Sequence, residues 1–124
     1  MTRYMGFVRM AEGITDPPPQ SLMDAMDVFI GKGIAEGHFI TGGGLYGTED
    51  AVNFVVRKGE MTRVDGPYAE SKEIVGGWSL LEYDTTEEAV ANMEEMAQLH
   101  LDHWPDLELV LTLRQVADEP PPGV

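Results

Sequence analysis

The sequence predicts an α+β domain, one antiparallel sheet carrying two helices on a single face. Three observations carry that expectation. Two stretches, 21–34 and 85–104, repeat apolar residues at helical spacing. Between and around them lie short runs rich in β-branched, aromatic and alternating apolar residues, separated by Gly, Pro and Asp. The order that results is strand, helix, strand, strand hairpin, strand, helix, strand.

Each element has its own signal. "YMGFVRM", 4–10, reads as a first strand around one glycine. Pro17, Pro18 and Pro19 form a stiff lead into the first helix, since proline cannot sit in a helix interior. Ser21 with Asp24 has the spacing of a capping box, and Leu22, Met26, Phe29, Ile30 and Ile34 follow on one stripe. Gly33 or Gly37 ends that helix. "HFITGGGLYG" reads as a strand running into a glycine-rich bend. "AVNFVVRKG" and "MTRV" form a hairpin about Gly59 and Glu60. "IVGGWSLLEYD" sets Trp78, Leu80 and Glu82 on one face and Ser79, Leu81 and Tyr83 on the other. Thr85 with Glu88 caps the second helix. Its stripe is Ala89, Val90, Met93, Met96, Ala97, His100, Leu101 and Trp104, and Pro105 stops it. "LELVLTLRQV" alternates cleanly as the last strand. Residues 1–117 are thus expected to form one domain and 118–124 an extended tail.

The strand and helix order is the βαββαβ split arrangement of ferredoxin-like folds. Two helices cover one face of such a sheet, and the other face must also be buried. A second subunit is the simplest cover for a chain of 124 residues, so a face-to-face homodimer, a dimeric α+β barrel, is expected.

Composition narrows the function classes. The net charge is −14, from 22 acidic and 8 basic residues, and only Arg57 and Lys58 are adjacent cations. Nucleic acid and anionic membrane surfaces are therefore unfavourable partners. The absence of cysteine excludes disulfides, thiolate catalysis and cysteine-ligated metal. No stretch has the length of a membrane span or the pattern of a signal peptide, and a cytoplasmic location is expected.

The stretch "VDGPYAESKEIVGGWSLLEYDTTEEAV" resembles the YCII-related proteins that carry the DGPF motif. Asp65, Gly66, Pro67, Ala69, Glu70, Lys72, Glu73, Gly76, Gly77 and Trp78 follow that family's pattern. Tyr68 stands where Phe is usual, and in the last strand Gln115 follows Arg114 where the family usually has Pro. The resemblance implies a dimeric α+β barrel. It also implies an occasional link to extracytoplasmic-function sigma factors. Some relatives act on chlorinated aromatic rings with a His–Asp pair whose His lies early in the first helix. Gln20, Ser21, Leu22 and Met23 occupy that region here, which argues against that chemistry.

Several residues could carry chemistry. Asp65, before Gly66 and Pro67, suits an Asx-turn, and it equally suits a carboxylate held beside Tyr68 as a general base. His38 is its candidate partner, because its pKa suits proton transfer. Tyr68, Trp78 and Lys72 are candidate ligand-binding residues, with Lys72 equally at home in a solvated charge cluster. His100 and His103 share a helix face and could meet a metal ion with Asp106 or Glu108, while a helix C-terminus also favours histidine on its own account. "TGGGLYG" lacks the Lys-Ser/Thr and the helix of a phosphate loop, so its glycines read as a bulge or a close backbone approach. No organic cofactor motif is present. The expected function is a dimer that binds a small molecule in a cleft between sheet and helices; if it is catalytic, its chemistry is cofactor-free acid–base chemistry. The alternative is a non-catalytic regulatory or interaction module linked to a sigma factor.

Overall fold

A computed structural model describes residues 1–11, 13–14, 16–66 and 74–117. The elements run β1 (Thr2–Met10), α1 (Gln20–Ala35), β2 (Phe39–Gly44), a short 3-10 turn (Thr48–Asp50), β3 (Val52–Arg57), β4 (Glu60–Asp65), β5 (Ile74–Tyr83), α2 (Thr86–His103) and β6 (Leu109–Gln115). Four strands form the main sheet in the order β2-β5-β1-β6, and all three pairings are antiparallel. This is the ferredoxin-like arrangement expected from the sequence. The β3–β4 hairpin is inserted after β2 as a separate two-stranded sheet.

Register decides which residues meet the helices. Tyr4 pairs with Leu81 and Gln115, and Gly6 pairs with Ser79 and Leu113. Side chains alternate across a strand, so Tyr4, Gly6 and Val8 share one face with Leu81, Ser79 and Gly77. The Tyr4 hydroxyl lies 2.9 Å from Thr86 Oγ1 at the start of α2, which identifies that face as the helix side. Arg3, Met5, Phe7 and Arg9 of β1 fall on the opposite face with Trp78, Leu80 and Glu82 of β5. Arg3 Nε donates to Glu82 Oε2 across it at 3.3 Å.

The helix entries differ. In α2 the expected cap forms, with Thr85 Oγ1 accepting from the Glu88 N–H at 3.2 Å. In α1 the expected Ser21 cap does not form. Pro19 is the N-cap instead, and its carbonyl accepts from Leu22 N and Met23 N at 3.0 and 3.2 Å. The proline ring already holds the φ that a helix entry needs, so the helix begins before the serine is reached. Gln20 Nε2 then donates to Asp24 Oδ1 at 2.9 Å. The hairpin turn is Lys58-Gly59, one residue earlier than Gly59-Glu60. Both residues have positive φ, 48° and 78°, as a two-residue turn with the native strand twist requires.

The sealed core is small. Tyr4, Leu81, Tyr83 and Ala89 form one cluster, with Phe39 and Leu113 packed against it, and Leu22 of α1 is buried as well. On α2 the stripe read from the sequence divides. Ala89 is buried, but Val90 and Leu101 are 49% and 61% exposed and lie on the outer surface.

Two glycines separate opposite effects. A Cβ at Gly42 would lie 2.7 Å from the Trp78 carbonyl oxygen and 2.9 Å from Phe39 Cζ, and the carbonyl cannot yield without moving the strand. Gly31, inside α1, has open space around it. Chemical denaturation should show Gly42→Ala destabilising by about 2 kcal/mol. The same assay should show Gly31→Ala stabilising by roughly 0.5–1 kcal/mol, because helical glycine is penalised in backbone entropy.

Candidate functional site

The middle of the sheet presents almost no side chains to the helices. Gly42 of β2, Ser79 of β5 and Gly6 of β1 form one row across three neighbouring strands, and Gly44, Gly77 and Val8 form the next such row. A helix pair resting on larger residues at one end of the sheet cannot settle into such a floor. A cavity of about 330 Å³ remains between the layers. Met26, Phe29 and Ile30 of α1 line it with Met93 and Met96 of α2 and Leu111 of β6. Its polar groups are few: Ser79, Tyr83 and Asn92. The chamber suits an apolar body with one or two hydrogen-bonding groups.

A second cavity of about 300 Å³ shares Phe29, Gly33, Tyr83 and Asn92 with the first. Lys32, Glu36, His38, Glu88 and Glu95 complete its wall, so it is polar and mostly acidic where the first is apolar. Tyr83 stands at the boundary. Its ring stacks on that of His38, with centroids 4.2 Å apart and planes 10° from parallel. Burial pushes the Tyr83 phenol above its ordinary pKa, and the nearby Glu36 carboxylate raises it further. At neutral pH the group is therefore a phenol, able to donate a hydrogen bond.

His38 is held firmly. Its backbone carbonyl accepts from Glu82 N at 2.8 Å, and its ring Nδ1 lies 2.9 Å from the Glu82 carbonyl oxygen. A carbonyl only accepts, so Nδ1 carries the proton and Nε2 is the basic nitrogen of the neutral ring. That is the tautomer a general base needs.

The other candidates disperse. Asp65 ends β4 in the small sheet, where Arg63 Nε donates to its Oδ1 at 2.8 Å, and it lines neither cavity. Tyr68 and Lys72 lie outside the described residues. Trp78 borders the apolar cavity from β5, but its side chain lies on the open sheet face, with Nε1 3.6 Å from where a Gly43 Cβ would stand. His100 Nδ1 donates back to the Met96 carbonyl at 2.9 Å, the helix-end bonding open to any histidine there. Among the described residues no three His, Asp or Glu side chains gather closely enough to hold a metal ion, so His100 and His103 have no third ligand there. Tyr83, Asn92 and Ser79 were absent from the sequence reading as site residues. The available signal was the glycine pattern. "YMGF", "TGGG" and "VGGW" form a continuous floor once their register is known.

Fold and cavity together define a ferredoxin-like α+β domain with a hollow between its layers. The chain belongs to the YCII-related family, whose domain model matches residues 4–110. None of the curated proteins matches it. Among the described residues, no helix is long and apolar enough to cross a membrane.

The Tyr83 shift has a defined pH consequence. A phenol whose folded pKa lies above its unfolded value of 10.0 contributes stability that is full below pH 10.0. That contribution is lost as pH rises through the folded value. Ultraviolet difference titration should show one tyrosine ionising later than the others, and Tyr83→Phe should remove it. Stability of the wild type measured against pH should fall more steeply above pH 10.0 than that of the variant.

Proposed function

We propose that this protein is a homodimer that binds a small, mainly apolar molecule in the hollow between its sheet and its helices. The observation that carries the reading is the cavity of about 330 Å³ where a packed core would otherwise stand. The hollow is partly open to solvent, and its apolar walls offer water few hydrogen-bond partners. A site made to be filled accounts for it better than a packing defect. The apolar walls select an aromatic or branched aliphatic body, and Ser79, Tyr83 and Asn92 orient its polar group.

Acid–base chemistry, where it accompanies binding, falls to the His38 and Tyr83 pair. The stacked rings, the basic Nε2 of His38 and the protonated phenol of Tyr83 support that assignment over Asp65. The dimer reading is supported by the open sheet face, where Met5, Phe7, Trp78, Leu80 and Val110 form an apolar centre flanked by Arg3, Arg9 and Arg114. Tryptophan, methionine and arginine are enriched at interface centres. A second reading, a regulatory module that acts on another protein such as a sigma factor, draws support from the exposed apolar β3–β4 hairpin.

Two measurements test the first reading. Thermal shifts with neutral aromatic compounds, naphthol first, should raise the melting temperature by several degrees near saturation. Leu111→Phe should raise it without ligand and abolish the ligand's effect. No shift from any such compound, with Leu111→Phe destabilising, would exclude the cavity as a site. For the dimer, Phe7→Glu should give a folded monomer by light scattering, because a charge at the centre of an apolar interface is not tolerated.

A further inference from the structure

The β3–β4 hairpin is, among the described residues, an element that its own domain leaves largely uncovered. Among the described residues, neither helix and no strand of the main sheet packs broadly against it. Its base is tied in by the Gly66 N–H, which donates to the Ala51 carbonyl at 2.6 Å. Beyond that base, Phe54, Val56 and Met61 are 59%, 73% and 69% exposed. Val56 pairs with Met61 and Phe54 lies two residues away, so the three share one face. A two-stranded hairpin is marginal in water unless something covers it, and a contiguous apolar patch marks a contact surface.

Charge supplies a separate observation. Residues 52–65 hold three cations, Arg57, Lys58 and Arg63, against Glu60 and Asp65, a net of +1. Taken from the chain's −14, that leaves −15 on the remaining residues. The hairpin is thus a cationic apolar element on an acidic molecule. Its complement is present on the same chain. Glu87, Val90, Glu94, Gln98 and Leu101 recur at three- and four-residue steps along α2, and all five are exposed. This outward stripe combines carboxylates with uncovered apolar side chains, and α2 contains no Lys or Arg.

We propose that the β3–β4 hairpin is a clasp that each copy of the chain lays across the outer stripe of α2 in a second copy. Phe54, Val56 and Met61 lie against Val90, and Arg57 with Lys58 at the tip meets Glu87 and Glu94. Strands of six residues give the arm a reach of roughly 20 Å. This inference rests on the dimer reading above and adds to it the element that secures and orients the pair.

Sedimentation equilibrium on the full chain tests it. Phe54→Ser with Val56→Ser should raise the dimer dissociation constant about tenfold or more while circular dichroism stays unchanged. Arg57→Glu with Lys58→Glu should weaken the dimer several-fold, by an amount that shrinks at high salt. Adding Glu87→Lys with Glu94→Lys to that variant should restore the dimer, a rescue that no general loss of stability would give. Arm variants that dissociate like the wild type, or a charge reversal without rescue, overturn the clasp. An arm found to bind a different protein while the dimer is untouched overturns it too. A wild type that is monomeric at roughly 100 μM defeats the dimer and the clasp together. A dimer broken by Phe7→Glu yet indifferent to the arm defeats the clasp alone.

Discussion

The architecture depends on a strip of sheet that has almost no side chains to offer. Gly42, Ser79 and Gly6 stand side by side on three strands, and Gly44 and Gly77 continue the strip. Larger groups stand at one end: Tyr4, Leu81 and Tyr83 meet Ala89, and the Tyr4 hydroxyl reaches Thr86. These contacts set the height at which α2 crosses the sheet. Met93 and Phe39 close over Gly6 and Gly42, but no helix side chain reaches Gly44 or Gly77, and space is left there. The hollow, the methionines that edge it and the small sealed core all follow from this one arrangement. Methionine suits such a wall, since its flexible thioether adapts to whatever lies beside it.

The same constraint places the polar groups. β5 carries Ser79 beneath the apolar chamber and Tyr83 at its edge, four residues apart on one face. His38 comes from the segment entering β2, where two hydrogen bonds to Glu82 hold it against β5. Stacking then fixes the two rings together at the junction of an apolar and an acidic cavity. A molecule in the chamber would meet the phenol first and the imidazole through it. The carboxylates of Glu36, Glu88 and Glu95 on the outer side keep the phenol protonated and give the approach a negative potential.

Charge is distributed by layer. The helix layer is acidic, with Asp24, Asp27, Glu87, Glu88, Glu94, Glu95 and Asp102 against Lys32 alone, while Arg3, Arg9 and Arg114 lie on the open sheet face and three further cations sit on the hairpin. The acid excess read as a bulk property of the sequence therefore conceals a polarity. The open sheet face and the hairpin combine apolar side chains with arginine, whereas the outer stripe of α2 sets its apolar side chains among carboxylates.

Much of the fold was legible in the chain itself. Periodicity located both helices, alternation located the strands, Thr85 with Glu88 marked the start of α2, and the element order specified the ferredoxin-like sheet. These signals are local, each written in residues a few positions apart. The Ser21 cap failed for a local reason too, since Pro19 starts the helix first. The site was not legible in the same way. Asp65 and His38 look like partners in sequence, yet one ends an outlying hairpin and the other is bonded to β5. Val90 and Leu101 fit the core stripe of α2, yet both are exposed. Three separate glycine runs become a floor only when strands distant in sequence come into register. Composition and spacing determined which elements form. Only the tertiary structure decided which of their faces meet, because register and layer spacing are set by contacts between residues far apart in the chain.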